Sequence, residues 1–304
     1  MERGAGPPKP LLDPVLLNAI GDLELVARVT VDGTVSGLHR SPFHGYSAEF
    51  SQYRHYRPGD DLKYVDWKLL ARTDRIYTKQ YRETTNLAAQ IAVDASASMN
   101  YAGPGGVTKL AYARLVAAAL AHLIIGQGDA AGLVIFSDTI RQYVHSRSGQ
   151  AHLRRLLVAL NALEATGSTA AAPALRRATD LLQRRGLMIL VSDLYDEDGA
   201  VEEELRRATR IGHDVAVFHV LTRDEIEFPF DEDVRIDDLE SGASVQSGPA
   251  AAAEYRREFA SFLERWRSRC LANGIDYIRV TTDMALDAAL REYLLHPSRG
   301  VTRG

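Results

Sequence analysis

The stretch IAVDASASM, residues 91–99, joins an apolar run to three evenly spaced side chains that carry oxygen. The apolar run stops at Asp94, and Ser96 and Ser98 follow at every second position with only alanines between them. None of the residues after Asp94 is large enough to pack a core until Met99. Because ligands of open parallel sheets bind beyond the carboxyl ends of the strands, a buried strand that ends in this way predicts a binding site.

Around this stretch, short apolar runs alternate with helical periodicity from residue 87 onward. Strands are predicted at residues 88–93, 132–136, 139–144, 187–191, 215–220 and 275–280. Helices are predicted at residues 108–125, 150–163, 172–184, 201–211, 255–271 and 285–295. Apolar strands separated by helices indicate an α/β fold with a doubly wound, mainly parallel sheet that is flanked by helices.

The predicted domain organisation places this α/β domain at residues 87–296. Residues 13–86 form a separate N-terminal segment, which opens with a predicted helix over residues 13–30 and continues with extended and turn regions. Residues 1–12 and 297–304 are predicted to be tails.

Composition narrows the classes of function. The 304 residues are 25% charged and 46% hydrophobic, which is ordinary for a soluble globular protein. A formal net charge of −4 gives no overall field that attracts nucleic acid or an anionic membrane, so neither is an expected partner. The single cysteine, Cys270, excludes an internal disulfide and a cysteine-based zinc site, and it fits a reducing compartment.

Hydropathy gives no indication of targeting or of membrane insertion. The N-terminus lacks the apolar core of a signal peptide. The most apolar segment, residues 110–125, is interrupted by Arg114 and His122, which favours a buried helix over a membrane span. We therefore expect a cytoplasmic protein.

Oxygen-bearing side chains in three predicted loops form one candidate metal site. A second apolar strand ends at Asp193, and Thr169 stands just before a predicted helix between the two strands. Two carboxylates and three hydroxyls suit Mg²⁺, with Mn²⁺ as an alternative, rather than zinc, because hard cations prefer oxygen ligands. The predicted ligands are Asp94, Ser96, Ser98, Thr169 and Asp193.

The order and spacing of these five residues resemble the metal-ion-dependent adhesion site of von Willebrand factor A domains. The resemblance implies that Ser96, Ser98 and Thr169 bind the metal. It further implies that Asp94 and Asp193 bind the metal directly or through water, and that an Asp or Glu of a protein partner completes the metal shell.

A second resemblance, to the family catalogued as domain of unknown function 58 (DUF58), covers nearly the whole chain. It rests on residues 37–83, above all on Arg57-Pro58-Gly59-Asp60-Asp61, Asp66-Trp67 and Ala71-Arg72, followed by the A-type domain. Members of this family typically accompany MoxR-type AAA+ ATPases, so the resemblance implies an adaptor or co-chaperone for such an ATPase. Many relatives carry N-terminal membrane helices, which are not predicted here.

The polar residues of the N-terminal segment allow two interpretations. They form either a functional site, which is a recognition surface or a second acid/base site, or a turn held by its own buried ion pairs beneath aromatic side chains. The set comprises Arg54, Arg57, Asp60, Asp61, Asp66, Trp67 and Arg72. The predicted metal ligands have an alternative interpretation as well, because Ser, Thr and Asp are common caps of helices.

Motifs of known catalytic sites are missing from the sequence. It contains no G-x-S-x-G, no P-loop and no G-x-G-x-x-G, and no plausible general base stands beside Ser96. We therefore expect a Mg²⁺-dependent protein-interaction module and not an enzyme. A Mg²⁺-dependent hydrolase with an unidentified general base and a metal-free structural scaffold are the alternatives.

Overall fold

The computed structural model describes the chain from residue 13 to residue 295, apart from several internal stretches. The residues outside the description are 1–12, 36–47, 58–59, 61–64, 74, 84–86, 104, 169–170, 183, 196–198, 230–233, 238–243, 248 and 296–304. Contacts within the chain divide it into a large unit, residues 1–42 and 88–304, and a small unit, residues 43–87. The predicted N-terminal segment, residues 13–86, therefore contributes to both units.

The strands of the described chain are distributed over three sheets. In chain order they are β1 (Ala48–His55), β2 (Tyr77–Glu83), β3 (Ala88–Asp94), β4 (Ala130–Phe136), β5 (Ile140–Arg147), β6 (Leu187–Ser192), β7 (Asp214–Leu221), β8 (Val234–Asp237), β9 (Ser244–Ser247) and β10 (Asp276–Thr281). The main sheet has six strands in the order β10-β7-β6-β3-β4-β5, while β1 pairs with β2 and β8 with β9.

The helices are α1 (Pro14–Ile20), α2 (Leu23–Val35), α3 (Trp67–Thr73), α4 (Lys109–Gly126), α5 (Gln150–Asn161), α6 (Ala171–Asp180), α7 (Ala200–Arg210), α8 (Arg223–Glu227), α9 (Pro249–Ala272) and α10 (Leu286–Leu294). A short 3-10 helix, Ala97–Asn100, follows β3.

The main sheet has the predicted architecture. Its neighbouring strands are parallel, with one exception, the antiparallel pairing of β4 with β5. Strands β3, β4, β6 and β7 are buried along nearly their whole length, because helices cover both faces of the sheet. The prediction of a mainly parallel α/β sheet flanked by helices is confirmed.

Helix α4 lies in the core of the large unit and is the first α-helix after the quoted stretch. The hydroxyl of Thr108 caps its N-terminus by accepting a hydrogen bond of 3.0 Å from the backbone N–H of Ala111. Among the described helices, α4 alone is long and apolar enough to cross a membrane, yet 78% of it is buried inside the protein. This burial agrees with the predicted buried helix.

The predicted single helix over residues 13–30 is wrong, because the structure has two helices there. The carboxylate of Asp13 caps α1, and Gly21, with φ of 70°, ends it in the left-handed conformation that glycine adopts most easily. Asp22 then caps α2 by accepting a backbone hydrogen bond of 3.0 Å. Helix α2 packs against α4.

The small unit is a hairpin-like sheet with one helix. Strands β1 and β2 pair antiparallel, from Ala48 with Glu83 to His55 with Tyr77. Helix α3 lies between them in sequence, and an isolated bridge joins Val65 to Thr78. This unit holds the polar residues that resemble the DUF58 hallmark.

Candidate metal centre

Strands β3 and β6 lie side by side and end at the same edge of the main sheet. Their register pairs Val93 with Val191, so the residues that follow each strand are neighbours. Asp94 and Asp193 are each 1% exposed, and Ser96 is 0% exposed. Two parallel strands therefore bring two buried carboxylates and a buried hydroxyl to the edge where ligands of such sheets bind.

The turn after β3 brings its two serines together. The Oγ atoms of Ser96 and Ser98 lie 3.0 Å apart, and the backbone N–H of Ser96 donates to Oδ1 of Asp94 at 2.9 Å. An octahedral Mg²⁺ with ligands at about 2.1 Å places neighbouring ligand oxygens about 3.0 Å apart. The two hydroxyls share a hydrogen bond, and their separation is also that of adjacent ligands in a magnesium shell.

Ser192, the last residue of β6, joins the two strand ends. Its hydroxyl donates to Oδ2 of Asp94 at 2.7 Å and accepts from the backbone N–H of Leu194 at 3.0 Å. Leu194 has φ of 57°, and a non-glycine residue in this left-handed region carries backbone strain of about 1–3 kcal/mol. The strained residue directly follows Asp193, so the surrounding contacts hold the loop of this carboxylate in one defined shape.

The two negative charges at the strand ends, those of Asp94 and Asp193, repel each other. Burial, followed by the negative charge of Asp193, raises the pKa of Asp94 to about 7, although hydrogen bonds from Ser96 and Ser192 oppose this shift. A divalent cation between such carboxylates relieves both their burial and their repulsion. The buried charge and the paired hydroxyls therefore fit Mg²⁺.

A lysine also reaches this edge of the sheet. Nζ of Lys109, the first residue of α4, lies 2.8 Å from Oδ2 of Asp193 and 2.7 Å from Oε1 of Glu225. Its side chain is 1% exposed. Burial alone lowers the pKa of Lys109, but the charges of Asp193 and Glu225 outweigh burial and hold the pKa above its ordinary value. Lys109 is therefore a buried ammonium shared by two carboxylates.

Glu225 is fixed in position by the start of α8. It forms a capping box with Thr222, whose backbone N–H donates to Oε2 of Glu225 at 2.6 Å. The hydroxyl of Tyr195 lies 3.4 Å from Oε1 of the same carboxylate, and Nζ of Lys109 lies 5.3 Å from the centre of the Tyr195 ring. Glu225 is therefore a rigid second acceptor for the lysine.

His219 supports the backbone of Asp193 through a hydrogen bond. Its Nε2 lies 2.8 Å from the carbonyl oxygen of Asp193, and its Nδ1 lies 2.7 Å from the hydroxyl of Tyr277. Burial lowers the pKa of His219 to about 3, so the ring is neutral at pH 7. Since a carbonyl only accepts, Nε2 carries the proton and donates to Asp193, while Nδ1 accepts from Tyr277.

Thr169, the fifth predicted ligand, lies outside the described residues. The chain just before it is hydrogen-bonded to the loop after β3: the N–H of Ala97 donates to the carbonyl of Gly167 at 2.8 Å, and that of Thr166 to the carbonyl of Ala95 at 2.9 Å. In the part of the chain that the structure describes, no group of three or more His, Cys, Asp or Glu side chains forms a metal site. The candidate ligand set therefore depends on the serine hydroxyls.

The sequence interpretation missed Lys109, Glu225 and the support from His219. One indication was available, because Lys109 opens a helix that is otherwise almost entirely apolar. The pattern Thr222-x-x-Glu225 also has the form of a capping box. Neither pattern indicates a contact between Lys109 and Asp193. Asp193 follows β6, far from Lys109 in sequence, and the two meet only in the folded chain.

The polar residues of the small unit form a network of hydrogen bonds with one another. None of these residues is a predicted metal ligand. Nη2 of Arg54 donates to both carboxylate oxygens of Asp60, at 2.7 and 2.9 Å, and the backbone N–H of Arg57 donates to Oδ2 of Asp60 at 2.9 Å. The Arg57 backbone, followed by Arg54, lowers the pKa of Asp60. This carboxylate is satisfied by its own turn.

Asp66 organises the other half of this network. Its Oδ1 accepts from the backbone N–H groups of Lys68 and Leu69, each at 3.0 Å, and so caps α3, while its Oδ2 accepts from the hydroxyl of Tyr53 at 2.9 Å. Trp67 is 60% exposed. Arg72 is also exposed, and Asp61 lies outside the described residues.

The chain is similar in sequence or in structure to several known proteins. Over 300 residues it is 28% identical to an uncharacterized protein of Mycobacterium tuberculosis, covering 96% of this chain and 93% of the relative. The structure is similar to that of BatB from Bacteroides thetaiotaomicron, a conserved hypothetical protein, with a TM-score of 0.45, 15% identity and coverage of 71% of this chain and 100% of the other. It is also similar to the SpRpn10 VWA domain, with a TM-score of 0.44, 12% identity and coverage of 71% and 98%. The model of the protein family of unknown function DUF58 matches residues 52–269, and the chain belongs to that family.

Proposed function

We propose that this chain is a Mg²⁺-dependent protein-interaction module whose metal is held by Asp94, Ser96, Ser98 and Asp193, with Thr169 as the fifth ligand. The observation that carries the proposal is the 3.0 Å separation of the two serine hydroxyls. The buried carboxylates beside them supply the negative charge that a divalent cation needs.

The chemistry of the ligands supports a partner that offers a carboxylate. Mg²⁺, or Mn²⁺ in its place, supplies a Lewis acid at this edge of the sheet when it is bound. Hydroxyl ligands are neutral, so a shell of two carboxylates and hydroxyls leaves the metal ion electrophilic. An Asp or Glu of the partner therefore takes a coordination position that is otherwise filled by water.

Family membership supports the identity of the partner. We assign the chain as an adaptor or co-chaperone of a MoxR-type AAA+ ATPase in the cytoplasm, because residues 37–83 resemble the DUF58 hallmark and the family model matches residues 52–269. In this proposal the ATPase performs the nucleotide chemistry, and this chain recognises a client protein or the ATPase itself.

The surroundings of the site favour binding over hydrolysis. A metal-dependent hydrolase needs a general base close to the metal-bound water. Among the described residues next to Asp193, Lys109 is held protonated and His219 has both ring nitrogens engaged. Neither of these groups serves as a base, and the carboxylates of Asp94 and Glu225 are assigned to the metal and to Lys109, so we assign no catalytic residue.

Capture of the ATPase by the immobilised chain tests this function. The MoxR-type ATPase of the source organism is passed over the parent chain in Mg²⁺ and in chelator, and over a Ser96→Ala/Ser98→Ala variant in Mg²⁺. We expect capture by the parent in Mg²⁺ only. A Ser268→Ala variant, which changes an exposed serine of α9, is the matched control and retains capture. Equal capture in Mg²⁺ and in chelator contradicts metal dependence.

A further inference from the structure

The contacts of Lys109 place a second cation at the proposed metal site. Its Nζ lies 2.8 Å from Oδ2 of Asp193 and 2.7 Å from Oε1 of Glu225, and its side chain is 1% exposed. An ammonium this deeply buried needs partners, and the two carboxylates that it contacts supply them. Oδ2 of Asp193 is therefore already in contact with a positive charge that belongs to the chain itself.

The balance of charge at this edge of the main sheet determines how the lysine affects metal binding. Asp94, Asp193 and Glu225 bring three carboxylates, and among the described residues the ammonium of Lys109 is the cation that contacts two of them. A divalent cation held by Asp94 and Asp193 would share the carboxylate of Asp193 with the lysine. Two cations within a few ångströms in a buried environment repel each other strongly.

Glu225 gives Lys109 an alternative place. Its carboxylate is 12% exposed and is held by the backbone N–H of Thr222, at 2.6 Å, so it does not depend on the lysine for its position. The ring of Tyr195, with its centre 5.3 Å from Nζ, offers a further favourable contact for the ammonium. Lys109 therefore stays paired when its contact with Asp193 is lost.

We propose that Lys109 is an internal competitor of the metal, shared between Asp193 and Glu225 in the metal-free protein and held by Glu225 alone in the metal-bound protein. This proposal rests on the proposed function and adds its regulation. Lys109 lowers the affinity for Mg²⁺, and Glu225 raises it by drawing the ammonium away from Asp193. Helix α8, which carries Glu225, is in this way coupled to the metal site at the end of β6.

Calorimetric titration of Mg²⁺ into the parent and three variants tests the competition. Lys109→Met removes the competitor and retains most of the side-chain volume, so we expect the affinity for Mg²⁺ to increase by about tenfold or more. Glu225→Gln leaves the ammonium to Asp193 alone, so we expect the affinity to fall by about tenfold. The two substitutions thus act in opposite directions, which a general loss of structure does not produce.

Asp224→Asn is the matched control for Glu225→Gln. Asp224 is the adjacent residue of α8, is 4% exposed and contacts the hydroxyl of Tyr101 instead of Lys109. Its substitution removes one carboxylate charge from the same helix, and we expect a smaller loss of affinity than for Glu225→Gln. Equal losses in the two variants assign the effect to charge alone and overturn the competition.

The outcomes separate this proposal from the proposed function. Binding by the parent with unchanged affinity in both Lys109→Met and Glu225→Gln overturns the competition and leaves the metal-dependent function intact. Binding by Lys109→Met but not by the parent supports the competition and contradicts a metal-dependent function of the free chain. If Lys109→Met does not fold, an unchanged affinity in Glu225→Gln overturns the competition by itself. Absence of binding in every variant overturns both proposals.

Discussion

Asp94 of the large unit and Asp60 of the small unit are both turn carboxylates, but their surroundings shift their acidity in opposite directions. Asp60 accepts hydrogen bonds from the backbone of Arg57 and from the guanidinium of Arg54, and its pKa is lowered. Asp94 is 1% exposed and faces a second carboxylate, and its pKa is raised to about 7. The turn of Asp60 is complete in itself, whereas Asp94 lies where we propose that a cation binds.

This difference shows how the same residue types serve different purposes in one chain. A carboxylate satisfied by its own turn stabilises that turn and leaves little binding capacity. A buried carboxylate with a raised pKa opposes folding unless a ligand compensates it, which is typical of functional sites. The contrast predicts large effects for variants at the edge of the main sheet and smaller effects for variants of the small unit.

The largest effect is expected for Lys109→Ala in the absence of metal. The substitution removes the ammonium from between Asp193 and Glu225, and breaking a buried ion pair in this way costs about 3–5 kcal/mol of unfolding free energy. Urea denaturation in chelator measures the loss. Arg185→Ala is the control, because its pair with Asp214 is 64% and 61% exposed and such pairs contribute about 0–1 kcal/mol. Similar losses in both variants contradict a buried pair.

The affinity for Mg²⁺ is expected to depend on pH through Asp94. Its pKa of about 7 means that the proton must leave before the metal binds, so affinity falls about tenfold for each pH unit below 7 and levels off above it. Titrations between pH 5.5 and about 8.5 in buffers of different ionisation enthalpy measure the affinity and the released proton. An affinity that is constant over this range contradicts a raised pKa.

The same shift has a consequence for the metal-free protein. Because the pKa of Asp94 in the folded chain lies above its ordinary value of 3.8, ionisation costs folding free energy, and stability from this group falls as pH rises from about 4 to about 7. Thermal unfolding in chelator across this range checks the sign. Asp94→Asn is the control and should flatten this part of the profile.

A smaller effect is expected for Asp66→Ala in the small unit. The substitution removes the cap of α3 and the acceptor of the Tyr53 hydroxyl, which together are worth about 1–2 kcal/mol. Urea denaturation measures the loss, and calorimetry measures the affinity for Mg²⁺ in the same variant. We expect unchanged metal affinity. A loss of metal binding contradicts the assignment of this network to the structure of its own unit.

The smallest effect is expected for Arg54→Ala. The side chain of Arg54 is 30% exposed and that of Asp60 is 20% exposed, so water reaches Asp60 once the guanidinium is removed. The backbone N–H of Arg57 still donates to Asp60 in the variant. We expect a smaller shift of the urea midpoint than for Asp66→Ala. A larger shift contradicts the view that the backbone N–H of Arg57 suffices to hold Asp60.

The fold and one half of the site were predictable from the sequence for a physical reason. Buried parallel strands are continuous apolar runs, so their ends, and the residues Asp94 and Asp193 that follow them, are visible in the sequence. The break at Gly21 was missed because the apolar spacing continues across it, while glycine alone marks the turn.

The other half of the site depends on contacts between residues far apart in the chain. Lys109 and Asp193 are 84 residues apart, and Lys109 and Glu225 are 116 residues apart. No local pattern encodes such a pairing, and a lysine at the start of a helix is ordinarily exposed. The sequence therefore indicates where we propose that a metal ion binds, but not that the chain brings a cation of its own to that place.

Calorimetric titration of Mg²⁺ into the parent and into an Asp94→Ala/Asp193→Ala variant tests the central claim most directly. An Asp214→Ala variant, which changes an exposed carboxylate of β7, serves as the control. The account predicts saturable binding of one Mg²⁺ per chain in the parent and the control, and none in the double variant. Equal binding in the parent and the double variant, or binding in neither, contradicts the claim that these two strand ends hold a metal.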